Sequence, residues 1–194
     1  MSKTLEVKMK ATQILSEEHR VIERVIGAIE TASRHLQAGK LVRAGFFLEA
    51  ADFIRGFADG CHHHKEEGVL FKSMLASGAP AQGGPVQVML AEHEQGRQYT
   101  RAMREAAQKF EAGDDSARHL IIQNALGYAA LLREHICKED HILFPMADQI
   151  IPSSMHDAVL DGFEHVEHEE TGEGVHEKYL ALADKLEQEA AALG

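Results

Sequence analysis

Apolar residues recur every three or four positions through most of the chain, which is the pattern of amphipathic helices. Residues with good helix propensity fill these stretches, and no segment alternates strictly between apolar and polar positions. Clusters rich in Gly, Pro or Ser interrupt the pattern at 37–40, 77–85, 111–115 and 150–154. The sequence therefore predicts an all-α protein with helices near 12–38, 42–76, 86–111, 116–149 and 154–190.

The connections between these helices are short, which favours antiparallel neighbours. We expect residues 12–149 to form an up-down four-helix bundle. Residues 1–11 would form an N-terminal tail, and residues 150–194 a C-terminal helical extension packed on the bundle. The two glycines of "TGEGV", residues 171–175, predict an interruption of the last helix, because glycine weakens a helix interior.

Polar residues occupy some positions of the apolar stripes. In the first helix His19 stands between Leu15 and Ile22, and the stripes of the next three helices contain similar residues before continuing, for example through Val69 and Ile142. The six polar residues predicted to face the interior are His19, His62, Glu66, His93, His135 and Glu139. Burying such groups without partners is unfavourable, so something in the interior must satisfy them.

The same short sequence occurs twice, as "CHHHKEEGVLF" at 61–71 and "EHICKEDHILF" at 134–144. Alignment pairs the first His-x-x-x-Glu with the second, so that His62 and Glu66, and not His63 and Glu67, correspond to His135 and Glu139. We therefore expect His63 and His64 to be exposed, and replacement of Glu67 to change little. The stretches "SEEH" and "LAEH", which end at His19 and His93, are also duplicated. The chain is thus predicted to contain a repeated helix pair.

Residues four apart lie one above the other on a helix, so a His and a Glu at that spacing can bind one centre. Two such helices would place two carboxylates between two metal ions, with His19 and His62 on one ion and His93 and His135 on the other. Imidazole and carboxylate ligands without thiolate suit iron, manganese or zinc. The less favoured alternative is a core of histidines that satisfy one another by hydrogen bonds.

Composition narrows the functional classes. The chain has 194 residues and a formal net charge of −11, which argues against binding to nucleic acid or to an anionic membrane surface. It contains no run of about 18 apolar residues and no apolar segment typical of a secretory signal. Cys61 and Cys137 form no disulfide framework, so we expect a cytoplasmic protein and interpret both as small packing residues, with redox sensing as the alternative.

The order His, His-x-x-x-Glu, His, His-x-x-x-Glu resembles the hemerythrin-like, or HHE cation-binding, family of longer bacterial type. The resemblance covers residues 12–149, and "GEGVHEKY" resembles the C-terminal helix of longer members. It implies a non-haem centre of two iron ions joined by an oxo or hydroxo bridge. Glu66 and Glu139 would be bridging ligands, and the four histidines terminal ligands. It also implies oxygen, peroxide or nitric oxide as the small ligand, and a protein redox partner of unknown identity.

One departure from the family matters for function. The oxygen carriers have a second histidine one turn from the third-helix ligand, whereas Met89 and Arg97 flank His93 here. Both irons are therefore expected to keep an open position, which argues against reversible oxygen transport and for consumption of peroxide. The fifth helix offers candidate extra ligands, or groups that hydrogen bond to ligands. These are Glu167, Glu170 and His176, for which a solvated acidic face is the alternative explanation.

Two functional classes remain open from sequence. The first is an enzyme that decomposes peroxide in the manner of a catalase, or reduces nitric oxide. The second is an iron- or oxygen-binding sensor or storage protein without turnover. A ferritin-like site would need Glu-x-x-His pairs on two helices, and only Glu173 and His176 have that spacing.

Overall fold

The computed structural model describes residues 9–172 and 174–193, apart from the side chain of Glu170. This part of the chain forms helices and no strand, so the all-α prediction is confirmed. The α-helices in it are α1 (Ala11–Gln37), α2 (Ala44–Phe53), α3 (Phe71–Ala76), α4 (Pro85–Glu111), α5 (Arg118–Lys138), α6 (Phe144–Ile150), α7 (His156–His165) and α8 (Val175–Ala192). None of them has the length and apolar character needed to cross a lipid bilayer.

Wider π-helical turns connect several of these helices. They are Ile54–His63 and Glu66–Leu70 between α2 and α3, Glu139–Leu143 between α5 and α6, and Val166–Thr171 after α7. Two of these segments begin at the glutamate of a duplicated motif. Such segments are rare and are frequently found at functional sites.

The π-helical turns change which residues face the interior after each motif. Ile142 is 56% exposed, so the prediction that the buried stripe passes through it is wrong, whereas Val69 is half-buried and packs against an apolar cluster. Leu70 and Leu143 are buried instead, each with 1% of its surface exposed. A π-helical turn contains more residues than an α-helical turn, and each extra residue rotates the following positions by about 100°.

Helix α1 runs antiparallel to the α5–α6 stretch, which carries the second duplicated motif. Residues early in α1 contact residues late in the α5–α6 stretch, and residues later in α1 contact residues earlier in that stretch. Three hydrogen-bonded pairs define this direction, namely Thr12–Asp148, Ser16–Asp140 and Glu30–Arg133. Helix α4 packs against both α2 and α5. These contacts bring parts of the chain that are more than 100 residues apart around one interior.

The interior contains two apolar clusters. The larger includes Ile22, Phe57 and Leu186, and the smaller includes Leu15 and Phe144. His19 lies between Leu15 of the smaller cluster and Ile22 of the larger one along α1. The polar residues singled out in the sequence therefore occupy a layer between two apolar regions, where water has little access.

The C-terminal helical region is interrupted as the sequence predicted. Gly172 has φ of 102° and Gly174 has φ of 78°, a left-handed conformation that favours glycine. Helix α8 then packs against α1 and α2, with Tyr179 set edge-on against Phe53. The break lets the chain leave the α7 direction and cover the flank of the helices that carry His19 and His62.

Candidate metal centre

The six side chains predicted to face the interior meet in one place. Each has at most 1% of its surface exposed. The shortest contacts between imidazole Nε2 and carboxylate oxygen atoms are His135–Glu139 at 3.1 Å, His19–Glu139 at 3.2 Å, His93–Glu66 at 3.4 Å and His62–Glu66 at 3.6 Å. The Nε2 atoms of His93 and His135 are only 3.1 Å apart, so their rings converge on one point.

These side chains form two groups of four possible ligands, each with its ligand atoms within 4.8 Å of one another. The first group, here called the His19/His62 position, consists of His19, His62, Glu66 and Glu139. The second, called the His93/His135 position, consists of His63, Glu66, His93 and His135. Glu66 belongs to both groups, so its carboxylate lies where it can join two ions.

His63 is part of this cluster, and the prediction that it is exposed is wrong. Only 3% of its surface is exposed, and its ring is stacked on that of His93 with centroids 3.8 Å apart. In a regular α-helix, consecutive residues such as His62 and His63 point about 100° apart. Both end a π-helical segment here, and both reach the interior. His64, the next residue, is exposed as predicted.

His63 changes the expected balance between the two positions. The sequence predicted two imidazoles at each ion, because Met89 and Arg97 flank His93 where the oxygen carriers have a second histidine, and it offered the fifth helix as the source of extra ligands. The structure places His63 against His93 from the neighbouring helix, so the His93/His135 position has three imidazoles. The His19/His62 position has two. The two groups of possible ligands are therefore unequal, where the sequence predicted two imidazoles in each.

Each of the five imidazoles in the two groups also donates a hydrogen bond from Nδ1–H to a carboxylate, on the side of the ring that faces away from the centre. The pairs are His93–Glu67 at 2.7 Å, His19–Asp140 at 2.8 Å, and His62–Glu18, His63–Asp59 and His135–Glu92 at 2.9 Å. A hydrogen bond of this kind fixes the tautomer and the ring orientation and makes the free nitrogen a stronger metal ligand.

The supporting carboxylates are in turn paired with cations. The pairs are Glu18–Lys65 at 2.6 Å, Glu67–Arg97 at 2.6 Å, Asp59–Arg97 at 3.5 Å, Asp140–Arg20 and Glu92–Lys138. Glu67 accepts hydrogen bonds from both His93 and Arg97, so in contrast to the prediction from sequence we now expect its replacement to have an effect. Sequence reasoning missed these groups although the repeat contained a signal. Glu18 and Glu92 each precede a duplicated histidine, and Lys65 aligns with Lys138.

The environment shifts the pKa values of the rings in opposite directions. Burial alone would lower the pKa of His19 and of His93, since it disfavours the charged ring. The negative carboxylates beside each ring, Asp140 and Glu139 for His19 and Glu66 and Glu67 for His93, outweigh burial and raise both pKa values to about 9. Burial lowers the pKa of His63 well below its usual range, and the neighbouring His93 adds to the effect. Both effects favour the neutral form of the His63 ring.

Several polar atoms at the centre have no hydrogen-bond partner. They are Nε2 of His19, Nε2 of His62, both carboxylate oxygens of Glu66 and both carboxylate oxygens of Glu139. Buried polar atoms are nearly always paired, and unpaired carboxylate oxygens are especially unfavourable. A pair of bound cations would satisfy all six atoms. The donors are imidazoles and carboxylates, which fit iron, manganese or zinc. The cluster fits a metal site.

Comparison with known proteins agrees with this geometry. The hemerythrin HHE cation-binding domain matches residues 10–147. The chain belongs to this family. Uncharacterized proteins of Mycobacterium bovis and of two strains of Mycobacterium tuberculosis are each 26% identical to it over 189 residues, covering 97% of this chain and 72% of theirs. No solved structure matches it significantly.

The C-terminal extension lies beyond the matched HHE domain and supplies no member of either four-residue group. Glu167 accepts hydrogen bonds from Lys65 Nζ and from His176 Nδ1, each at 2.8 Å. Glu167 also comes close to Glu18 and Cys61, but the Lys65 ammonium already lies between the two carboxylates. Glu167 and His176, which the sequence offered as extra ligands or as supporting groups, reach the His/Glu cluster only through Lys65 and Glu18. The side chain of Glu170 lies outside the described residues.

The two cysteines of this HHE protein differ in environment. Cys61 is buried, as predicted, and burial raises the pKa of its thiol to about 11. Cys137 is exposed, so the prediction that it is a packing residue is wrong. Its sulfur lies 3.7 Å from Nδ1 of His141, on the outer face of the helix that carries His135. Neither cysteine belongs to the two groups of four, so the centre contains no thiolate.

Proposed function

We propose that this HHE protein holds two iron ions in its interior and binds or reacts with oxygen, peroxide or nitric oxide there. Six unpartnered nitrogen and oxygen atoms, all buried between two apolar clusters, carry the proposal. Glu66 and Glu139 would bridge the ions, and His19, His62, His93 and His135 would be terminal ligands. When bound, the two ions would supply electrons and an exchangeable coordination position for a small ligand.

His63 would make the two ions unequal. The His93/His135 position would have three imidazoles and the His19/His62 position two, so the second position would be the one that accepts a small ligand. The stack of His63 on His93 and the neutral state of His63 support this assignment. If one ion had all its coordination positions filled and the other had one open, a small ligand would bind at the second ion only.

Aromatic side chains next to the ligands would keep water out. Phe144 is stacked on His19 with a centroid distance of 5.3 Å, and Phe71 is stacked on His93 at 5.9 Å. Both phenylalanines are buried, and they occupy equivalent places in the two copies of the repeat. Their role would be to hold the rings in place and to limit the entry of protons and of larger molecules.

We also propose that residues 12–149 form an up-down four-helix bundle made from a duplicated helix pair, with residues 150–194 as an extension. The supporting hydrogen bonds recur in both copies. Glu18 links His62 with Lys65 in the first, and Glu92 links His135 with Lys138 in the second. Corresponding residues of a duplicated pair would make corresponding contacts.

Iron content tests the proposal directly. Protein produced with iron supplied should contain close to two irons per chain, and Glu66→Gln or Glu139→Gln should reduce this content and destabilise the protein. Glu169→Gln, at an exposed position, is the matched control. A chain that stays free of metal under these conditions overturns the proposal. Rapid mixing of the reduced, iron-loaded protein with oxygen, peroxide or nitric oxide then measures whether the centre binds or consumes each one.

A further inference from the structure

A continuous series of hydrogen bonds runs from the candidate metal centre to the C-terminal extension. It begins at His62, whose Nε2 faces the centre, and ends at His176 in the first turns of α8. The links are His62 Nδ1–Glu18 Oε2 at 2.9 Å, Lys65 Nζ–Glu18 Oε1 at 2.6 Å, Lys65 Nζ–Glu167 Oε2 at 2.8 Å and His176 Nδ1–Glu167 Oε1 at 2.8 Å. Every link is short enough to be a strong, charge-assisted hydrogen bond.

The middle of this series is fully enclosed. The Lys65 side chain has 0% of its surface exposed, and that of Glu18 has 4%. A buried ammonium group is stable only when it is paired, and Lys65 has Glu18 on one side and Glu167 on the other. Both oxygens of Glu18 are used, one by Lys65 and one by His62. Lys65 and His62 therefore share Glu18 as a hydrogen-bond acceptor.

The second copy of the repeat has a shorter series. Lys138, which aligns with Lys65, contacts Glu92, and 35% of its side chain is exposed to solvent. Among the described residues, the extension supplies a carboxylate to Lys65 and none to Lys138. The link to the C-terminal extension is therefore specific to the His19/His62 position, which is the position with fewer imidazoles.

We propose that Glu167 is a positioning residue for His62, and that the C-terminal extension uses it to set how tightly the His19/His62 position holds its metal. The proposal rests on the metal centre proposed above. The Glu167 carboxylate accepts one of the two hydrogen bonds that Lys65 Nζ donates to carboxylates. Without that charge Lys65 would interact more strongly with Glu18, which would then be a weaker acceptor for His62 Nδ1–H. A weaker acceptor makes the imidazole a weaker metal ligand.

The test compares Glu167→Gln with Glu169→Gln, an exposed position in the same π-helical segment. Changes in groups that hydrogen bond to a metal ligand typically alter metal affinity by about 10- to 100-fold. Glu167 reaches His62 only through Lys65 and Glu18, so we expect a loss of metal affinity of about tenfold. Competition between the protein and a chelator for Zn²⁺ should show one of two ions released about tenfold more easily and the other unchanged. Glu167→Asp, which keeps the carboxylate, should recover part of the loss.

Nitrogen-15 NMR of the histidine side chains in metal-free protein provides a second measurement. Glu167→Gln should shift the Nδ1 resonance of His62 and leave that of His135 in place. Unchanged His62 resonances, or an equal loss of affinity for both ions, overturns the proposal, because general loosening of the fold has no preference between the positions. If the chain binds no metal at all, the proposed function fails, while the NMR comparison still decides whether Glu167 acts on His62.

Discussion

The imidazole rings of His63 and His93 lie face to face, with centroids 3.8 Å apart and planes inclined by 14°. Nδ1–H of His63 donates to Asp59, so this ring is oriented in the same way as the four histidines predicted from the sequence. The corresponding residues of the second copy are Ile136 and Leu132, which cannot bind a metal. His63 and Asp59 therefore have no equivalent at the corresponding positions of the second sequence copy.

The double variant His63→Ile with Asp59→Leu gives the first copy the residues of the second. We expect the affinity for one of two metal ions to fall by about 10- to 100-fold, because one position loses an imidazole and its supporting carboxylate. With both positions then open, the reduced iron protein should be oxidised by air faster than the parent protein. Chelator competition and rapid-mixing absorbance measure the two effects. His64→Gln, at an exposed neighbour, is the control, and an effect as large from His64 would contradict the role of His63.

Glu67→Gln should weaken the His93/His135 position. The Glu67 carboxylate accepts hydrogen bonds from His93 at 2.7 Å and from Arg97 at 2.6 Å, and an amide cannot accept both as strongly. We expect about a tenfold loss of affinity for one metal ion, measured by chelator competition. Glu94→Gln provides the comparison, since Glu94 is an exposed residue of α4 that also pairs with an arginine. Equal behaviour of the two variants would show that Glu67 is only a surface charge.

The metal-free protein should lose stability as the pH rises from about 6.5 to about 9. The pKa values of His19 and His93 are raised to about 9 in the folded state, against an ordinary value of about 6.5. A raised pKa stabilises the fold fully below the unfolded value and stops doing so above the folded value. One pKa unit corresponds to about 1.4 kcal/mol, so urea titrations across this range should detect the loss.

Metal affinity should rise as the pH increases over the same range, because the imidazoles of His19 and His93 must lose a proton before they bind a cation. Calorimetry in buffers of different ionisation enthalpy should detect proton release on Zn²⁺ binding below pH 9. His19→Gln should reduce the number of protons released. Proton release that stays constant between pH 6.5 and 9 would show that the two rings are neutral before the metal binds.

The main candidate ligands could be predicted from the sequence because they occur in two copies of a short motif. Alignment of the two copies identified His62 with His135 and Glu66 with Glu139 independently of helix geometry. Arguments that depended on a regular 3.6-residue period failed just after the motifs, where π-helical turns place His63 inside and Ile142 outside. Periodicity cannot reveal a π-helical turn, since the extra residue in a turn has no single sequence signal.

Lys65 and Lys138 occupy the same place in the two copies, yet they should contribute very differently to stability. Lys65 is fully buried between Glu18 and Glu167, whereas 35% of the Lys138 side chain is exposed beside Glu92. Removal of one partner from a buried ion pair typically destabilises a protein by about 3–5 kcal/mol, and removal of an exposed partner by about 0–1 kcal/mol. Lys65→Met should therefore lower the free energy of unfolding of the metal-free protein by several kcal/mol, and Lys138→Met by less than about 1 kcal/mol. Chemical denaturation of both variants at pH 7 measures the difference.

In Lys65→Met the further change Glu167→Gln should restore part of the stability, because it removes one of the two carboxylates left without a cation. Similar losses in the two lysine variants would show that water reaches Lys65, and the enclosed connection between the extension and His62 would then be excluded.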